Sequence, residues 1–168
     1  MKKLILIGIV LLIMFCDMIL AKDYSFRKTN WGMNKQEVMR TERGNPIKNE
    51  TIESKGEKVQ LLIYRSSINK LKCNIIYFFD LKTGLYKAKY EIDSFENPSQ
   101  YTFEAEKFIK LLSEKYGKPV NTISKFGSNH ISWKADSFSV EIHYYEQDDF
   151  FMKYLDIIYT DIKNYSDL

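Results

Sequence analysis

The chain has 168 residues and a net charge of only +3, from 25 Lys and Arg against 22 Asp and Glu, with 45% hydrophobic and 15% aromatic residues. Charge this balanced and dispersed excludes the basic stripe of a nucleic-acid-binding protein, and no nucleic-acid partner is expected. The apolar share is sufficient for a core without covalent staples.

In chain order, the opening MKKLILIGIVLLIMFCDMILAKD comes first. Lys2 and Lys3 precede an unbroken apolar run from Leu4 to Phe15, Asp17 interrupts it, and Ala21 offers a small residue for cleavage. This layout predicts a secretory signal peptide over residues 1–21, since the run is short for a bilayer span. Cys16 follows the bulky Phe15, unlike a lipid-attachment site. Export to the periplasm or the exterior is therefore expected. The membrane would be met only through an N-terminus left uncleaved or lipidated. Cleavage would leave Cys73 alone, with no internal disulfide.

The stretch WGMNKQEVMRTERGNPI, Trp31 to Ile47, carries a helix start and a helix stop. Asn34 and Glu37 form a capping box, with Trp31 and Met33 placed to staple against Val38. Gly44 supplies the left-handed terminus and Pro46 prevents resumption, which predicts a helix over 34–43. Alternating or apolar segments follow at 47–53, 57–66, 71–80 and 84–93. In them Val59, Leu61 and Ile63 alternate with polar residues, as do Leu71, Cys73, Ile75, Tyr77 and Phe79. SKGE, SSINK and LKTG mark the turns between them.

After a connector, DSFENPSQ, the spacing of Ala105, Phe108, Ile109, Leu112 and Tyr116 predicts an amphipathic helix over 102–116. Its ending, Gly117-Lys118-Pro119-Val120, repeats Gly44-Asn45-Pro46-Ile47 at a distance of 73 residues. Strand segments at 119–126, 129–134, 137–146 and 152–162 complete the chain. The expected fold class is thus α+β, a tandem repeat of one helix packed on a roughly four-stranded antiparallel sheet. The units would span 22–95 and 96–168. Connections this short exclude a doubly wound nucleotide-binding fold.

Gly32-Met33-Asn34-x-x-Glu37-Val38 followed by Gly44-x-Pro46 resembles a motif of the SmpA/OmlA-type outer-membrane assembly lipoproteins, where it marks a helix entering a sheet. The tandem order resembles the β-lactamase-inhibitor-protein fold. That resemblance implies protein-binding modules without catalysis.

The residues themselves present no catalytic constellation. Cys73 alternates in step with core positions, and neither His130 nor His143 sits in a nucleophile motif. Asp136, Asp148 and Asp149 are the obvious candidate carboxylate ligands near the histidines, and Asp148-Asp149 reads as a hairpin turn, so no metal and no cofactor is expected. The Asn-x-Ser/Thr matches at 49–51 and 164–166 read as accidental. The aromatic residues are more informative. Tyr77, Phe79, Trp133, Phe138 and Tyr144 fall in the core phase, whereas Tyr64, Tyr86 and Tyr145 fall outside it. Glu141, His143 and Tyr145 would line one outer strand face, suited to docking a protein or peptide. The expectation is a non-enzymatic binding or envelope-interaction protein. Its rival is a small hydrolase or ligand-binding protein with a dispersed site.

Overall fold

The computed structural model describes residues 25–54, 56–92, 99–145 and 154–163. The signal-peptide segment, most of the connector and Asp148-Asp149 lie outside them. Among these described residues two helices, α1 (Lys35–Thr41) and α2 (Ser99–Tyr116), accompany eight strands. The first four are β1 (Lys48–Ser54), β2 (Glu57–Ile68), β3 (Leu71–Asp80) and β4 (Gly84–Ile92). The second four are β5 (Asn121–Lys125), β6 (Ser128–Lys134), β7 (Phe138–Tyr145) and β8 (Leu155–Asp161).

The local chemistry of α1 follows the capping box. Asn34 Oδ1 accepts from Glu37 N–H at 3.0 Å, and Glu37 Oε2 accepts from Asn34 N–H at 2.8 Å. The arrangement of the strands departs from expectation. Instead of two helix-on-four-strand units, the chain forms one continuous eight-stranded antiparallel sheet in the order β1-β2-β3-β4-β8-β7-β6-β5. The tandem α+β class is therefore corrected to a mostly-β fold with two helices on one face. The join is β4 against β8, where Lys87–Glu91 pair with residues 160 down to 156. Each would otherwise be an exposed edge with unpaired backbone groups, and pairing them removes both. Lys89 Nζ, 2.9 Å from Asp156 Oδ2, ties the seam.

Both helices lie on the same side of this sheet. The register row Leu62–Tyr77–Ala88–Tyr159–Val140–Trp133 crosses six strands with every side chain on that side. Under α1 the core comprises Val38, Leu62, Tyr64, Tyr77 and Phe79. Under α2 it comprises Ala105, Phe108, Leu112, Trp133 and Ile142. Phe26 fills the gap between the two, its ring 5.0 Å from both Tyr90 and Tyr159 and 5.6 Å from Tyr77. Trp133 donates Nε1–H to Gly117 O at 3.1 Å, so the helix-ending glycine also satisfies the largest core side chain.

The phase of β2 is the reverse of the one expected. Tyr64 belongs to the core and is 4% exposed. Val59, Leu61 and Ile63 instead point to the other side, where they form a third apolar cluster with Ile76, Phe78 and Tyr86. A strand apolar on both faces gives no alternation from which to choose the covered one.

Candidate functional site

No described element covers the second face of the sheet. Across it runs a row set by register: Arg65, Asn74, Glu91, Asp156, His143, His130 and Ile123. Two separate runs of side-chain contacts lie along it. Asn74 Nδ2 donates to Glu91 Oε2 at 3.0 Å, and Lys89 Nζ donates to Glu91 Oε1 and Asp156 Oδ2, both at 2.9 Å. Farther along, His143 Nε2 donates to Glu141 Oε2 at 2.8 Å. The His143 and His130 rings stack with centroids 4.0 Å apart and planes at 21°. His130 Nε2 lies 3.0 Å from Ser128 Oγ, which lies 2.8 Å from the Tyr154 hydroxyl.

Beyond the histidines the face becomes apolar and open. Ile123 is 50% exposed and Phe126, in the β5–β6 turn, is 82% exposed. With Lys125, Ser128 and His130 they border a depression of about 280 Å³. The Tyr145 and Tyr154 rings stand 6.3 Å apart at the end of β7. Phe126 sits in the turn with a positive φ of +50°.

Of the residues expected to bind, Glu141 and His143 are brought into a direct hydrogen bond, and Tyr145 lies on the same side of the same strand. Sequence reasoning did not assign Lys89, Asp156, Asn74 or the stacking role of His130. These emerge only from cross-strand register, which no local pattern in β4 or β8 encodes. Cys73 is fully buried in the core on the helix side, so the sheet separates it from both histidines. Among the described residues no group of three or more His, Cys, Asp or Glu is arranged to hold a metal ion, and no helix is long and apolar enough to cross a membrane.

The electrostatics of the row follow from crowding. Burial, and then the neighbouring His143, hold His130 below its ordinary value. The hydrogen bond from His143 holds the Glu141 carboxyl low, against the opposing effect of burial. Burial pushes the Lys87 amine down, with Glu141 opposing. Protonation of His130 is thus less favourable in the folded chain than in the unfolded one. The unfolded chain takes up more protons as pH falls below about 6.5, and folding stability falls with it. The contribution of Glu141, present above its ordinary value of 4.5, is lost at still lower pH. The melting temperature is expected to drop between about pH 7 and about pH 5, and His130→Gln should flatten that slope. A slope identical in the variant would remove His130 as its source.

No protein-family model, curated protein sequence or solved structure matches this chain. The resemblance of the Gly32–Pro46 motif to outer-membrane assembly lipoproteins therefore stands on those residues alone.

Proposed function

We propose that this is an exported, non-enzymatic binding protein that docks a protein or peptide partner on the uncovered face of its sheet. The observation that carries the reading is the exposure of Ile123 and Phe126 beside the stacked histidines and the Tyr145–Tyr154 pair. A partner's apolar side chain would seat between Ile123 and Phe126, and its polar groups would meet Glu141, His143 and Tyr145. Tyrosine suits this role, giving contact area at low entropic cost with a hydroxyl for wet contacts. The rival reading is a small hydrolase or ligand-binding protein with a dispersed site; separation of Cys73 from both histidines weighs against its thiol form alone.

A photo-reactive phenylalanine analogue placed at Phe126 or at Tyr145 should yield the same covalent adduct in envelope extracts. The analogue placed at Lys110, exposed on α2, should yield none, and Ile123→Asp should abolish the first two. An adduct at all three positions, or at none, would refute the docking face.

A further inference from the structure

On the helix side of the sheet, away from the docking face, lies a cavity of about 460 Å³. The turn at 25–30, the end of α1 and strands β2 and β3 enclose it, with Arg27, Lys28, Glu42, Arg43, Tyr64 and Ser66 in its wall. Its single carboxylate is already matched. Glu42 Oε1 accepts from Arg27 Nε at 3.0 Å, Oε2 accepts from Nη2 at 3.4 Å, and the Tyr77 hydroxyl also donates to Oε1. Among the described residues no carboxylate pairs with Lys28 or Arg43, so these two add positive charge beyond the Arg27–Glu42 pair, and Arg65 is a further cation in the lining.

The local backbone fixes this placement. Arg27 adopts a left-handed φ of +52°, and Thr29 closes the turn by donating its N–H at 2.9 Å and its hydroxyl at 2.7 Å to Phe26 O. Lys28 is left exposed at the tip. Arg43 follows directly on Glu42, the residue that caps α1. At the inner wall the Tyr64 hydroxyl is out of solvent and has no hydrogen-bond partner among the described residues. A buried hydroxyl without a partner is costly, and a bound acceptor would satisfy it.

We propose that this cavity binds a small doubly charged anion, a phosphate monoester or a dicarboxylate, with Lys28 and Arg43 meeting its charge and the Tyr64 hydroxyl donating to one of its oxygens. The site is independent of the docking face, and either assignment can fail without the other.

The test titrates the full chain with inorganic phosphate and, separately, with succinate, against sodium chloride at matched ionic strength, following the amide signals of Lys28, Arg43 and Tyr64 by NMR. At least one dianion is expected to bind saturably where chloride does not. The Lys28→Gln/Arg43→Gln double variant should weaken binding by roughly tenfold or more, and Tyr64→Phe by roughly threefold. Both changes of charge lie at exposed positions, so the melting temperature of the double variant should stay near that of the parent. Saturable binding that survives both variants would place the anion elsewhere and overturn the proposal. Absence of saturation by either dianion at tens of millimolar would overturn it as well.

Discussion

A Gly84→Ala variant is expected to lose about 3 kcal/mol of stability or more, the combined cost of a strained backbone and a steric clash. Gly84 begins β4 with φ +81°, and a Cβ there would meet backbone only: Gly32 C at 2.8 Å and Met33 O at 2.9 Å, with Gly32 O nearer still. None of these atoms belongs to a side chain that could swing away. The close approach exists because the 32–33 segment hydrogen-bonds to the next residue of the strand. Gly32 N–H donates to Leu85 O and Leu85 N–H donates to Met33 O, each at 2.8 Å. Those two bonds hold the chain just before Asn34, so the clash would also displace the entry to α1 and its packing under Val38. Gly44→Ala is the control. It has φ +102° but nothing within 4 Å of the added carbon, so only the conformational cost of about 1 kcal/mol applies. Equal urea midpoints for the two variants would show that the 32–33 segment does not hold β4 as described.

The second large effect is expected at Glu42. Its side chain is 9% exposed and receives both nitrogens of the Arg27 fork together with the Tyr77 hydroxyl. Burial, and next the bond to Glu42, push the Tyr77 phenol far above its ordinary range. Glu42→Ala would leave the buried Tyr77 hydroxyl without an acceptor and the half-buried Arg27 guanidinium with the Tyr90 hydroxyl in place of a carboxylate, at a cost of about 3 kcal/mol. Tyr77→Phe removes only the neutral donor and should cost about 1–2 kcal/mol. If unpaired charge is the cause, replacing both members by apolar residues, as in Arg27→Met/Glu42→Leu, should recover much of the loss by chemical denaturation. A double variant as unstable as Glu42→Ala would point to lost packing instead.

Local structure was legible in this chain because its signals are local. The Asn34–Glu37 capping box, the glycine that ends α2, and the period of two in β3 and β7 each act within a few residues. The end of α1 departs from its signal: the helix closes at Thr41 with Glu42 extended as its cap, two residues before Gly44. What the chain did not disclose is anything settled by pairing between distant strands. The local pattern predicts two separate halves, yet the edges of β4 and β8 meet and make one sheet. The clear alternation of Val59, Leu61 and Ile63 points Tyr64 outward, but Leu62 and Tyr64 face the helices. The candidate site shows the same division. Glu141, His143 and Tyr145 share a side by strand alternation alone, which sequence reveals. The stacking of His143 on His130, and its place beside Asp156, depend on which strand lies beside which.

The seam between β4 and β8 also has a consequence for assembly. Strands β1 to β4 are a simple meander that can zip up in the order of translation, but the partner that covers β4 is β8, the last strand of the eight. Until β8 emerges, the inner rim of the nascent first half stays open, with Ala88 and Tyr90 ready to pair with any extended chain. A ribosomal pause just before residue 155 would therefore present the molecule at its most adhesive, and the pairing of β8 ends that exposure.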